Sequence, residues 1–300
     1  MVMNVSYNSL HCTLCPRRCG AARGETHGEG HCAMPDTPIL ARAALHHWEE
    51  PSISGTRGSG TVFFSGCSLQ CVYCQNHLIS QERAGQPVSP VQLRGIFLDL
   101  AAQGAHNINL VNPGHYANGI LKALKAPLPV PVVWNSSGYD RLSTLRALEG
   151  HVQIYLPDYK YPDEAAALRY SGAEDYPRVS RAAIVEMVRQ TGPYQLDTQG
   201  LLRRGVIIRH LLLPSRVDKA KEVMDWIAAT FPLGTVLFSL MSQYVPLYRA
   251  AQYPEINRPL RGTEVRAALR YMEALGLEGY TQEQASATDA FIPVFDGTGL

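Results

Sequence analysis

Phe63-Phe64-Ser65-Gly66-Cys67-Ser68-Leu69-Gln70-Cys71-Val72-Tyr73-Cys74-Gln75-Asn76 is the stretch from which the rest of the chain is read. An apolar run with strand character ends at Gly66, and three cysteines follow with the spacing C-x3-C-x2-C. Three thiolates on one tight loop can ligate three irons of a cubane cluster, and the lack of a fourth cysteine nearby leaves one iron with an open coordination position. The same logic separates catalytic zinc sites, which keep a position open, from closed structural ones. Gly66 lets the backbone leave the strand sharply where a cluster must sit close. Tyr73, just before the third cysteine, can pack its ring on an adenine. A zinc knuckle, or three buried cysteines without metal, are the plainer readings; strand, glycine, spacing and aromatic together favour the open cluster.

The other four cysteines lie upstream. Cys12-x2-Cys15-x3-Cys19, followed by Cys32 after a Gly-rich stretch, supplies four thiolates, enough to close a tetrahedral zinc site or to hold a second iron-sulfur cluster. Spacing leaves zinc, a second cluster and free thiols all open, with His11 and His31 as substitute ligands. All seven cysteines fall between Cys12 and Cys74. In a reducing cytoplasm such a concentration reads as metal ligands or catalytic groups rather than disulfides, and a cytoplasmic location is expected. No apolar run approaches the ~18 residues that cross a bilayer, and Met1 to Leu10 lacks the layout of a secretion signal. Lys plus Arg is 27 against 26 for Asp plus Glu, so charge gives no reason to expect nucleic acid or a membrane as partner.

Residues 1–60, rich in Gly, Pro, Arg and His, read as a loop-rich cap organised by metal rather than by a core. From Thr61 the texture changes to short apolar runs alternating with amphipathic stretches. The expected strands are Thr61–Ser65, Asn107–Val111, Val130–Trp134, Val152–Leu156, Val206–Leu211 and Thr235–Leu240. Helices are expected from Pro90, capped by Ser89 and stopped by Gly104; over Leu142–Leu148 and Ala182–Gln190, stopped by Gly150 and Gly192; over Lys219–Ala229; and over Thr263–Leu275, capped by Thr263 and stopped by Gly276. This is an α/β pattern of strand and helix units around a parallel sheet, with a core over 61–280 and an irregular tail over 281–300. Polar or unusual residues follow each strand: Gly66 and Cys67; Asn112, Gly114 and His115; Asn135, Ser136 and Ser137; Asp158 and Lys160; Arg209 and His210; Ser242 and Gln243. In a parallel barrel these groups converge on one rim.

The three-cysteine loop, together with Cys12-Thr-Leu-Cys15-Pro-Arg-Arg-Cys19, Glu49-Glu50-Pro51, Ser54-Gly55 through Gly60, Asn107-Ile-Asn-Leu-Val111, Asn135-Ser-Ser-Gly138, Tyr155-Leu-Pro-Asp-Tyr-Lys160, and Arg209-His210 with Pro214, resembles the radical S-adenosylmethionine superfamily. More narrowly, it resembles homologues of the pyruvate formate-lyase activating enzyme. The resemblance implies a partial (β/α)6 barrel, TIM-like but incomplete, with a [4Fe-4S] cluster on Cys67, Cys71 and Cys74. It also implies reductive cleavage of S-adenosylmethionine to a 5'-deoxyadenosyl radical, a flavodoxin- or ferredoxin-type reductant, and a glycyl-radical enzyme as one substrate class. Asp158 and Lys160 match the Asp-x-Lys after the fourth strand of the activating enzymes, and Arg209 matches a later Arg beside the cosubstrate. An ordinary ion pair at the barrel rim is the alternative for these three.

After the second strand the family has a Gly-Gly-Glu type turn to the amino group, whereas this chain has Asn112-Pro113-Gly114-His115-Tyr116. Asn112 can still accept from an ammonium and Gly114 permits close approach. His115 either faces the substrate or bonds loop backbone. Ser136 and Ser137 reach ribose or carboxylate, or cap the loop. In His46-His47-Trp48-Glu49-Glu50-Pro51, Glu50 either faces the site or is a solvated loop carboxylate. The competing reading of the whole chain is a non-catalytic iron-sulfur or zinc protein, an electron carrier or interaction module.

Overall fold

The apolar runs after residue 60 form the parallel body of one sheet. The computed structural model describes residues 11–281 and 293–300, so Met1 to Leu10 and most of the expected tail lie outside the described residues. The first half contains β1 (Ile39–His46), α1 (Pro51–Ser54), β2 (Ser59–Phe64), α2 (His77–Ser80), β3 (Gln86–Pro87), α3 (Pro90–Ala102), β4 (Ile108–Val111), α4 (Ala117–Ala123), β5 (Val132–Ser136) and α5 (Leu142–Leu148). The second half contains β6 (Ile154–Pro157), α6 (Glu164–Ser171), α7 (Tyr176–Thr191), β7 (Gln195–Leu196), β8 (Leu202–Leu211), α8 (Val217–Thr230), β9 (Leu237–Met241), α9 (Gly262–Ala274) and β10 (Gly279–Thr281).

The sheet runs β10-β9-β8-β6-β5-β4-β2-β1-β3, with β7 paired to β8 alone. From β2 to β10 the neighbouring strands of this path are parallel, and β10 and β3 are its two ends, so the barrel is open. This is the partial TIM-like barrel expected, with β10 as an added parallel strand. The strands bury a large apolar set, as strands covered on both faces do: Val62, Phe64, Ile108, Leu110, Val133, Trp134, Ile154, Leu156, Ile207 and Ile208 are buried, alongside buried polar residues such as Thr61, Asn109, Asn135 and Ser239.

Element ends follow local chemistry. Ser89 Oγ accepts from the Gln92 backbone N–H at 3.3 Å, and Gln92 Oε1 accepts from the Ser89 N–H at 3.0 Å, a reciprocal capping box that starts α3. Two expectations shift. Helix α7 begins at Tyr176, six residues before Ala182, because Pro177 sits in the first turn where a missing N–H is harmless. Helix α9 is capped at Arg261, whose N–H donates to Glu264 Oε2 at 2.8 Å, so Thr263 already lies inside it.

One strand falls in the stretch read as loop-rich. β1 pairs antiparallel with β2, Ala43 opposite Val62, and closes the edge beyond the cysteine strand. The described end of the chain follows β1 on its other side: the Ala43 N–H donates to the Thr298 carbonyl at 2.9 Å, and Phe295 packs edge-on against Phe63.

Candidate active site

Each parallel strand delivers its C-terminal residues to one cavity of about 480 Å³. Its walls include Cys67, Cys71, Cys74 and Tyr73 after β2, Asn112 after β4, Asn135 to Ser137 at the end of β5, Asp158 and Lys160 after β6, Arg209 on β8, and Met241 and Gln243 from β9 onward. The loop after β1 adds His46 to Glu50.

The cysteine loop is pinned at its start. Gly66 has φ +82°, and a Cβ there would lie 2.2 Å from Met34 Cγ, so only glycine fits. The Asn112 side-chain amide donates to the Gly66 carbonyl, and Asn112 itself takes a left-handed backbone with φ +58°. Each loop sulfur receives hydrogen bonds, among them Cys67 from the Leu69 N–H at 3.3 Å, Cys71 from Ser171 Oγ at 3.2 Å, and Cys74 from Ser80 Oγ at 3.3 Å. Burial pushes the Cys67 thiol up and the Cys74 thiol up to about 12. Such thiols stay protonated unless a metal replaces the proton. Three soft donors on one wall, already receiving the hydrogen bonds that thiolates accept, fit a cluster carried by Cys67, Cys71 and Cys74. No fourth cysteine lines the cavity among the described residues. Nor does any group of three His, Cys, Asp or Glu there converge on a single-ion position, whereas a cubane asks each thiolate for a different iron.

Opposite the loop, charged groups form one network. Asp158 Oδ2 accepts from Lys160 Nζ at 2.5 Å and Oδ1 accepts from Arg209 Nε at 2.9 Å. Arg209 also donates from Nη1 to Glu49 Oε2 at 3.1 Å and from Nη2 to Asn135 Oδ1 at 2.6 Å. Glu49 Oε1 accepts from the amides of Asn109 at 3.1 Å and Asn135 at 3.3 Å. Burial works to raise the Asp158 pKa, yet the charges of Arg209 and Lys160 outweigh it and hold the carboxyl below its usual range. Glu49 and Glu50 go the other way: burial raises both beyond what Arg209 offsets, and Glu49 raises Glu50 further. Glu50 is buried, and its Oε2 has no hydrogen-bond partner.

Glu49 carries an ion pair that sequence reasoning did not assign; it is 160 positions from Arg209, and only the fold joins them. Its one signal was its place beside Glu50 and Pro51 in a run dense in polar groups. Asp158, Lys160 and Arg209 come together, with Asp158 paired to both cations, the ion pairing at the rim that was the alternative reading of these three. Glu50 lines the cavity and is not a solvated carboxylate. His115 is buried, outside the cavity wall, with Nε2 2.8 Å from the Ser65 carbonyl; burial and the nearby Arg23 charge lower its pKa to about 3. A neutral ring donating to loop backbone answers both features, the plainer of its two readings. Gly114 also stands off the wall; a Cβ there would lie 3.1 Å from Asp140 Oδ1. Ser136 lines the cavity, but its hydroxyl donates to Asp140 and accepts from the Gly138 N–H at 3.1 Å. The Tyr73 hydroxyl pairs with that of Tyr161 at 2.7 Å, inside a cluster with Tyr170 and Tyr244.

Comparison with known proteins agrees with this geometry. Residues 54–151 match a 4Fe-4S single cluster domain. The uncharacterized protein MJ0674 of Methanocaldococcus jannaschii is 30% identical over 279 residues, covering 89% of this chain and 76% of that protein. Among solved structures, SuiB of Streptococcus suis superposes with a TM-score of 0.51 at 12% identity over 75% of this chain, which spans about half of SuiB, 48%. A single-residue mutant of spore photoproduct lyase gives a TM-score of 0.51 at 12% identity, covering 73% of this chain and 74% of that one. At such identity the likeness shows a shared fold. No described helix is long and apolar enough to cross a membrane.

Proposed function

We propose that this chain, which belongs to one family with the uncharacterized Methanocaldococcus protein, is a radical S-adenosylmethionine enzyme that cleaves S-adenosylmethionine reductively to generate a 5'-deoxyadenosyl radical. The observation that carries the reading is that the three-cysteine loop and the Asp158 network open on the same cavity. When bound, the cluster and its cosubstrate supply a one-electron break of a carbon-sulfur bond.

The residues bind, orient and shield. Cys67, Cys71 and Cys74 hold the cluster. Lys160 commits one N–H to Asp158 and keeps two donors for a carboxylate in the cavity. Arg209 commits Nε and both terminal nitrogens to Asp158, Glu49 and Asn135, so its work is to fix that wall. Asn112, with its amide nitrogen bonded to Gly66, retains Oδ1 to accept from an ammonium. Ser136 holds the β5 turn through Asp140, and Ser137 lines the cavity beside it. Gly114 shapes the turn rather than touching ligand. Tyr73 offers ring surface from within its tyrosine cluster.

The electron comes from a flavodoxin- or ferredoxin-type donor in a reducing cytoplasm. Hydrogen abstraction from a glycine of a partner enzyme is the finer form of the activity, and it rests on the sequence resemblance to the activating enzymes alone. Anaerobic incubation of cluster-loaded protein with S-adenosylmethionine and dithionite tests the core activity. Release of 5'-deoxyadenosine and methionine is expected; none from fully loaded protein would make the chain an electron carrier or interaction module. A glycyl radical seen by electron paramagnetic resonance after mixing with a partner enzyme would test the finer form.

A further inference from the structure

The segment from Cys12 to Pro38 holds its shape with almost no regular structure. Its one β-contact among the described residues is an isolated bridge between Arg23 and Gly28, yet Cys12, Leu14, Cys32 and Met34 are buried. A loop of this length pays backbone entropy on ordering and needs something to offset it. The four thiols left over from the cluster loop lie on it. Cys12 starts a tight turn, its carbonyl accepting from the Gly20 N–H at 3.1 Å and its own N–H donating to Ala21 at 3.0 Å. Cys15 follows within that turn, in electrostatic reach of Cys32, Cys12 and Cys19. Gly30 has ordinary backbone angles, but a Cβ there would lie 2.9 Å from Cys19 Sγ, so its missing side chain leaves a space that the sulfur uses. Arg23, buried, donates to the Met34 carbonyl at 3.0 Å and the His115 carbonyl at 2.5 Å, and its Nη1 lies 3.7 Å from Cys12 Sγ.

We propose that Cys12, Cys15, Cys19 and Cys32 bind a second, thiolate-ligated metal centre that braces the cluster loop. No three of the four sulfurs converge on one ion position among the described residues, a spread that a cubane giving each thiolate a different iron tolerates and that a single ion would have to draw in, and Cys19 is exposed. On binding, each thiol gives up its proton as its sulfur takes a metal bond. Arg17, between Cys15 and Cys19, carries the brace: Nε donates to the Ser68 carbonyl at 2.9 Å and Nη2 to the Ser171 carbonyl at 2.8 Å. Ser68 lies inside the cluster loop, and Ser171 donates to Cys71 Sγ. A second strap joins Gln70 Nε2 to the His31 carbonyl at 2.9 Å, next to Cys32. The centre is closed by four protein ligands and does not depend on cleavage of S-adenosylmethionine at the other loop.

The full-length triple variant Cys67→Ala, Cys71→Ala, Cys74→Ala, purified anaerobically, isolates the question. Elemental analysis should find either about one zinc per chain, as a closed tetrahedral site requires, or about four irons with matching sulfide, as a cubane requires; either supports the proposal. Adding Cys19→Ser, an exposed position, should remove that metal with the far-ultraviolet circular dichroism unchanged. In the otherwise native protein, Arg17→Ala should keep the cap metal while a chelator strips the loop cluster roughly tenfold faster. A folded triple variant holding neither zinc nor iron, or metal unaffected by Cys19→Ser, would overturn the assignment.

Discussion

Arg209 donates from Nε to Asp158 Oδ1 at 2.9 Å, and the two residues also form a parallel bridge where β6 and β8 rejoin beyond their short pairing at Ile154 and Tyr155. The register of two strands 51 positions apart thus places a carboxylate between two cations at the mouth of the barrel.

Removing that carboxylate leaves two buried charges without their common partner. Asp158→Ala is expected to destabilise the cluster-loaded protein by about 3–5 kcal/mol, the range for breaking a buried ion pair from one side. Asp158→Asn keeps a hydrogen-bond acceptor and should lose less. Anaerobic urea unfolding measures both; equal stability of Asp158→Ala and the parent would mean that the network is solvated in solution.

Lys160 and Arg209 should separate in their effects because Lys160 bonds a single carboxylate, whereas all three Arg209 nitrogens are already bonded to Asp158, Glu49 and Asn135. Lys160→Met is expected to weaken S-adenosylmethionine binding about 10- to 100-fold, the worth of one charge-assisted hydrogen bond of roughly 1.5–3 kcal/mol. Its cost in stability should be smaller than that of Arg209→Met, which takes from Asp158 and Glu49 the one cation that they share. Equilibrium dialysis alongside unfolding curves checks the split, and it fails if Arg209→Met alone loses affinity while keeping stability.

Much of this is legible in the amino-acid sequence, and the misses have physical causes. The six core strands announced themselves because strands buried on both faces read as continuous apolar runs, and polar residues at their ends pointed to a shared rim. β1 did not: Ile39-Leu-Ala-Arg-Ala-Ala-Leu-His46 is rich in alanine, a poor strand former, and its burial does not alternate, so only pairing with β2 makes it a strand. Asp158 and Lys160 were visible as near neighbours, whereas Glu49 and Asn135 became partners of Arg209 through the sheet. The side-chain commitments of Asn112 and Ser136 depend on turn geometry that no spacing rule encodes. The cysteine loop was the most readable part, since metal ligation demands residue type and spacing together.

Ser171 sits at the end of α6, and its hydroxyl donates to Cys71 Sγ at 3.2 Å while also contacting the Tyr161 hydroxyl at 2.9 Å. Hydrogen bonds to cluster sulfurs stabilise the reduced, more negative state. Ser171→Ala should therefore make the loop cluster harder to reduce, by about 40 mV if the bond is worth about 1 kcal/mol for one electron. A redox titration followed by electron paramagnetic resonance reads the shift directly. A potential that stays put or rises would mean that this hydroxyl faces Tyr161 instead.

Acid should loosen the protein through two histidines that the fold keeps neutral. His115 is lowered from 6.5 to about 3 by burial and the charge of Arg23, and His210 from 6.5 to about 4 by burial, with Nδ1 2.7 Å from the Tyr159 carbonyl. Both folded values lie below the unfolded one, so between them the unfolded chain binds more protons and stability rises with pH. Their contribution is complete above about pH 6.5 and is lost as pH falls toward 4, at a slope approaching 1.4 kcal/mol per pH unit for each. In His115→Gln the side-chain amide can still donate to the Ser65 carbonyl but takes up no proton. The slope of unfolding free energy between about pH 7.5 and 5 should then fall by about half of the two-histidine share. Asp158, lowered instead, adds its own loss only as pH drops through the carboxylate range, below this window. An unchanged slope in His115→Gln would mean that His115 is protonated in the fold, and the neutral hydrogen bond assigned to the start of the cysteine loop would have to be replaced by a charged one.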